Sequence, residues 1–169
     1  RADDESRIEV EFKDNPKLDA LREFLQSKPD EKMLVFHEFI HSGRQICRML
    51  EQAKIGYASL HGGMHDPGAE YRRFLDNRTC RVFVLQNRLG SEAINPQYVC
   101  RRAVFYESPD DPKIRAQAEA RVHRPGQKWT TFIHDMLVKG TVEEKIKRYN
   151  QEGVSLLAAV LSGKETLDD

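Results

Sequence analysis

The sequence predicts an α/β domain in which a parallel sheet is covered by helices on both faces. Three observations carry this expectation. Short apolar runs bounded by turn residues recur along the chain, and their brevity and continuous apolar character suit strands buried on both faces. Stretches with helical spacing fall between those runs, and alternation of strand and helix implies parallel crossover connections. The length of 169 residues is that of one domain with a core of its own.

In order along the chain, residues 1–15 form a charged lead-in, residues 16–161 the domain, and residues 162–169 a tail. Asn15 offers a cap and Pro16 suits a first helical position, and Leu18, Leu21 and Leu25 make the apolar stripe of a first helix that ends at Pro29-Asp30. Lys32–Phe36 reads as a buried strand. Ile40–Ala53 reads as a helix with Ile46, Met49 and Leu50 inward, broken at Gly56. Tyr57–Leu60 is a second strand, Glu70–Leu75 a helix, Arg81–Leu85 a third strand and Ala103–Tyr106 a fourth. Asp110, Asp111 and Pro112 mark a helix start, and no glycine or proline interrupts Lys113 to Arg124 before Pro125 and Gly126 turn the chain. Thr130–Val138 is a fifth strand. Thr141 with Glu144 forms a capping box for a last helix, which Gly153 is placed to break.

Lysine plus arginine and aspartate plus glutamate both number 27, so no global basic field draws in nucleic acid, and any such contact is local. No long apolar run or signal peptide is present, which gives no indication of membrane insertion or secretion. Cys47, Cys80 and Cys100 form no Cys-x-x-Cys pair and read as structural thiols of a reduced, intracellular protein. The chain opens on Arg1 and reads as a piece of a longer protein. It contains no Gly-x-x-x-x-Gly-Lys-Ser/Thr phosphate loop.

In such folds ligands sit beyond the carboxyl ends of the strands. That places chemistry in the segments His37–Ser42, His61–Asp66, Gln86–Asn95 and Glu107–Asp111. Just downstream of the last of these, Gln117, Arg121 and Arg124 fall four and three residues apart, on one face of the expected helix. Two arginines and a glutamine there form fixed donors suited to phosphate oxygens and to charge that develops in phosphoryl transfer.

Gln117-x-x-x-Arg121-x-His123-Arg124-x-Gly126-Gln127 resembles motif VI of superfamily-two helicases in the version carried by SNF-type DNA translocases, with Ala120 where an acidic residue is usual. Gln86–Asn95 is similar to motif V, with Gln86-Asn87 in place of Ser-Thr and Ala93 in place of Gly. Met33–His37 is similar to motif IV. Leu60-His-Gly-Gly63, with Arg72 downstream, is similar to motif IVa, and Lys139–Ile146 to the family's exit sequence.

The resemblance implies a RecA-like second lobe facing an N-terminal RecA-like lobe that binds ATP and Mg²⁺. It implies a catalytic set of Arg121, Arg124 and Gln117, which together with Gly90 and Asn95 meets the nucleotide. It further implies that His37, Gly62, Arg72, Asn87 and Arg88 hold the backbone of double-stranded DNA without reading its sequence, with the backbone N–H groups of Gly62 and Gly63 offered to a phosphate. Protein targeting partners are open, and a membrane role is not expected. A non-hydrolysing scaffold of the same fold is the alternative. A remote second alternative is a zinc protease built on His37-Glu-Phe-Ile-His41, if those residues lie on a helix. His123 is expected to order the arginine helix, His134 to be packed or at the surface, and Trp129 to belong to the core.

Overall fold

The computed structural model describes residues 14–62, 66–91 and 95–166. Five strands are present: β1 Met33–His37, β2 Gly56–Leu60, β3 Cys80–Gln86, β4 Arg102–Phe105 and β5 Phe132–Asp135. They form one sheet in the order β2-β3-β1-β4-β5, with every pairing parallel. The helices are α1 Pro16–Gln26, α2 Ile40–Gln52, α3 Pro67–Asp76, α4 Pro112–Glu119, α5 Val142–Gln151 and α6 Leu156–Leu161.

The two faces follow from the two-residue period of the strands. Leu34, Phe36, Phe83, Leu85, Ala103 and Phe105 point to the side covered by α3 and α4, where they meet Phe74, Ala118 and Val122. Their neighbours Met33, Val35, Val82, Val84 and Val104 point to the other side, against Leu21 and Leu25 of α1 and Ile46, Met49 and Leu50 of α2. The first side is ring-rich: Phe36 stacks on Phe105 and Phe74 on Phe83, with centroids 4.8 and 5.1 Å apart. The second is built mainly of aliphatic side chains.

Side chains from the strand ends cap the helices with matched sign. At the amino edge of the sheet, Lys32 Nζ donates to the carbonyls of Phe74, Leu75 and Asn77 at the end of α3, and Arg81 donates to those of Leu25 and Lys28 beyond α1. Cations at helix carboxyl ends oppose the negative pole of the dipole. At the other edge, Glu107 and Asp110 serve the amino ends of α2 and α6.

Several boundaries differ from the sequence reading. α4 stops at Glu119 instead of reaching Arg124. Beyond it the backbone tightens, with Arg121 N–H bonding Ala118 O and Val122 N–H bonding Glu119 O. β5 covers only Phe132–Asp135 and not Thr130–Val138, because its neighbour β4 is four residues long. α3 starts at Pro67, since Asp66 Oδ1 accepts from Ala69 N–H. Gly153, with φ of 71°, separates α5 from α6 as expected. In the capping box, Thr141 Oγ1 accepts from Glu143 N–H, whereas Glu144 reaches Gly140 N–H and not that of Thr141.

Candidate nucleotide and nucleic-acid edge

Because all five strands run one way, their carboxyl ends lie along one edge of the sheet. The sequence-predicted residues fall in two groups, of which the second lies at that edge and the first at the far end of α4, toward the amino ends of β4 and β5. The first is the turn after α4. Asp111 caps that helix, its Oδ1 accepting from Lys113 N–H at 2.8 Å, and Pro112 occupies the first turn. Gln117 is exposed on the helix, while Arg121 and Arg124 lie in the turns past its end. Thus the three do not share one continuous helical face.

Gln127 ties the turn to the core, its Nε2 donating to Cys100 O at 3.0 Å and Val122 O at 3.1 Å. Gly126 has φ of +96°, a backbone conformation that favours glycine. Arg121 loses some of its hold on the proton, first through burial and then through the neighbouring Arg124 charge. An arginine does not deprotonate in such a setting, so the turn holds two cations whose mutual repulsion an anion would relieve. Arg124 Nη1 donates to Asn95 Oδ1, which joins two residues expected at the nucleotide. His123 is exposed, and its backbone N–H donates to Glu119 O at 3.0 Å, whereas its imidazole has no hydrogen bond to the described residues, so the ring does not order the turn. Trp129 is 49% exposed and is not a core residue.

The second group surrounds the end of β3. Asn87 begins a 3-10 turn, Asn87–Ser91, which contains Gly90. Its side chain is buried, and both amide hydrogens are committed: Nδ2 donates to Glu38 Oε2 at 2.8 Å and to Glu107 O at 3.0 Å. The side-chain amide therefore has no donor left for a phosphate, and its Oδ1 is buried without a partner. Arg88 extends outward with its side chain 70% exposed and Nε 3.5 Å from Glu38 Oε1.

Glu107 closes the group. Its Oε2 accepts from the N–H groups of Glu38 and Phe39 at 3.0 and 3.2 Å, and its Oε1 accepts from Ser42 Oγ at 2.6 Å. The N-cap residue Phe39 makes no side-chain cap, and Glu107, two residues past β4, accepts instead from the N–H of Phe39 and of Glu38 just ahead of α2. The sequence put Glu38 and Glu107 in strand-end segments of this edge but did not show that they hold one network. Their partners are 20 to 69 residues away, and no local spacing reveals them.

His37 is buried at the end of β1, its Nδ1 2.9 Å from Phe39 O, and a Cβ on Gly43 would come within 2.4 Å of its ring. Burial first of all pushes its pKa down, so the ring is neutral near pH 7. It forms part of the wall of a cleft of about 670 Å³, with Arg44, Arg48, His61, Gly62 and Gln86. Arg44 and Arg48, not singled out in the sequence, face that cleft from α2, and their four-residue spacing was the available signal. Gly62 has open space around its Cβ position, so its backbone can be approached. Arg72 is on α3, 66% exposed, with Nη2 3.6 Å from the carboxylate of Asp66. Gly63 and Ala93 lie outside the described residues.

The His-Glu-x-x-His segment is not helical throughout: His37 ends β1 and His41 is in the first turn of α2, so the two histidines do not share a helical face. Glu38 is engaged by Asn87 and Arg88. No group of three His, Cys, Asp or Glu side chains placed to hold a metal occurs among the described residues. Cys80 and Cys100 are buried free thiols and Cys47 is half-buried. Among the described residues no helix is long and apolar enough to cross a membrane.

Comparison with known proteins agrees with this architecture. The family model of the helicase conserved C-terminal domain matches residues 16–126. The DNA repair protein rad8 of Schizosaccharomyces pombe is 29% identical over 154 residues, covering 89% of this chain and 13% of that protein. The "Uncharacterized ATP-dependent helicase YqhH" of Bacillus subtilis is 29% identical over 145 residues, 86% of this chain and 25% of that protein. This chain therefore spans a quarter or less of the length of either relative. The crystal structure of the C-terminal part of the Fun30 ATPase domain superposes with a TM-score of 0.74 at 23% identity, covering 83% of this chain and 47% of that one, a likeness of fold. The chain belongs to the helicase conserved C-terminal domain family and is the second, RecA-like lobe of an SNF-type helicase core.

Proposed function

We propose that this lobe completes an ATPase site whose other half lies on an N-terminal RecA-like lobe, and that it grips the backbone of double-stranded DNA. The observation that carries the reading is the pair Arg121 and Arg124, two neighbouring cations past the end of α4, with Arg124 held by Asn95. In this reading Arg121 and Arg124 meet the γ-phosphate and stabilise the charge that builds as it departs. Gln117 and Gly90 flank them, and Asn95 lies on the ribose side. Mg²⁺ and the β- and γ-phosphate cradle belong to the first lobe. No acidic set for a metal converges among the described residues of this one. The lobe by itself does not turn over ATP.

On the DNA side, Arg72 and Arg88 extend toward phosphates and the backbone at Gly62 is open to them. Arg44 and Arg48 add to the cationic wall of the cleft. His37 and Asn87 take part through the backbone they hold in place, since their side chains are buried. The lobe works inside the cell, with double-stranded DNA and the first lobe as partners and protein targeting partners possible beyond them.

The test is ATP turnover by the full-length protein, with and without duplex DNA, beside Arg124→Ala. Duplex DNA should stimulate the wild type, and the variant should lose about 10³–10⁵ in rate while retaining ATP binding. A wild-type protein that binds DNA or a protein partner but hydrolyses nothing would instead identify a scaffold. The committed donors of Asn87 are the observation that favours that second reading.

A further inference from the structure

We propose that Tyr71 is a positioning residue for Arg124 and acts through Asn95. The inference rests on the reading of Arg124 as a nucleotide-facing arginine and adds how it is aimed. An exposed arginine has a long, freely rotating stem, yet a transition-state contact needs its guanidinium within a fraction of an ångström of one place. In the structure, Arg124 Nη1 donates to Asn95 Oδ1, from a position 29 residues further along the chain. Asn95 is itself exposed, so the bond aims Arg124 only if something fixes Asn95.

That anchor is Tyr71. Its hydroxyl oxygen accepts the backbone N–H of Asn95 at 2.8 Å. The Tyr71 ring is half-buried on α3 and stacked on Phe83 of β3, with centroids 6.1 Å apart and planes 22° from parallel. Phe83 is fully buried and stacks in turn on Phe74. A continuous path thus runs from the ring-rich core through Tyr71 to the Asn95 backbone, and from the Asn95 side chain to the guanidinium. Arg124 lies near enough for its charge to act on the Tyr71 hydroxyl, while burial has the larger effect and keeps the phenol protonated. As acceptor from Asn95, the phenol oxygen still carries its own proton and can donate it outward. Tyr71 touches neither phosphate nor metal in this scheme. It shapes the loop from which Arg124 is directed.

The experiment is a double-mutant cycle in the full-length protein, with Tyr71→Phe, Arg124→Ala and the pair. ATP turnover is measured with saturating duplex DNA, and thermal melting is recorded for each. Phenylalanine retains the ring stacked on Phe83 and removes only the hydroxyl. Tyr71→Phe should lower kcat about 5–10-fold, the effect of one lost hydrogen bond expressed as rate, while KM for ATP changes less than about twofold. In the Arg124→Ala background it should have no further effect. Asn95→Ala, which removes the acceptor directly, should show the same non-additivity and serves if Tyr71→Phe melts early. A wild-type kcat in Tyr71→Phe, or an equal loss with and without Arg124, overturns the inference. Those outcomes leave the functional reading intact so long as Arg124→Ala, read by single turnover at high enzyme concentration, is slowed by about 10³–10⁵. A wild-type rate in Arg124→Ala overturns both.

Discussion

The two groups of candidate site residues are built on opposite principles. Around β3, the side chains of Glu38, Asn87, Glu107 and Ser42 spend their hydrogen bonds on one another and on backbone, and Asn87 and Ser42 are buried. In the turn after α4, Arg124 points outward and Arg121 carries a like charge beside it, and Asn95 is the tether. The inward network fixes where strands and helices meet, whereas the outward one leaves charge available to a guest. Polar residues of a candidate site are therefore not equivalent. Those with committed hydrogens act as framework, and those with spare donors are the ones able to do chemistry.

This contrast predicts a separation of stability from activity. Arg124→Ala, the change with the largest effect on turnover, should leave the unfolding free energy within about 0.5 kcal/mol of wild type, as expected of an exposed side chain away from the core. Glu107→Ala should do the reverse within the lobe, leaving the N–H groups of Glu38 and Phe39 ahead of α2 and the Ser42 hydroxyl without their acceptor. A loss of about 2–3 kcal/mol in urea unfolding is expected, with Glu107→Gln losing less because one side-chain oxygen remains. An equal stability loss in both variants would erase the distinction.

Arg44 and Arg48 sharpen it from the DNA side. If they meet phosphates, replacing both by alanine weakens binding of the full-length protein to any duplex sequence. It should also lower the slope of log affinity against log salt by about 1 for each arginine. An unchanged slope places the cleft off the DNA path.

The smallest effect is that of pH. Burial, as the leading cause, lowers the pKa of His37 and of His134, and Arg102 adds to the effect at His134. A depressed folded-state value means the unfolded chain takes up protons first. The stability contributed is thus full above the ordinary value of 6.5 and is lost as pH falls through the folded values. Urea midpoints should fall between about pH 7.5 and about pH 5, and His37→Asn should flatten part of that slope.

Much of the fold was readable because β1, β3 and β4 are apolar toward both faces, and such runs admit few other interpretations. The fifth strand was overdrawn for a reason outside its own residues: Thr130, Thr131 and Val138 have strand character, but β4 offers them no further partner. The arginine helix was overdrawn because nothing before Pro125 forbids helix, while the tightening at Arg121 and Val122 comes from i to i−3 bonds that sequence spacing does not encode. At the site, the residue types were legible from the motif, but their commitments were not. That Asn87 has no spare donor and that Asn95 holds Arg124 depend on contacts with Glu38, Glu107 and Tyr71 that only the folded chain makes.

The packing of the His37 ring against Gly43 has a consequence for descent. With imidazole at position 37, any Cβ at position 43 would intrude to 2.4 Å. The two positions therefore cannot drift independently. A lineage that replaces His37 by a small side chain releases position 43 from glycine and opens it to better helix formers. A lineage that restores a ring at position 37 must first recover the glycine. Substitutions at these sites should accordingly arise in order, with the change at 37 preceding any gain of side chain at 43.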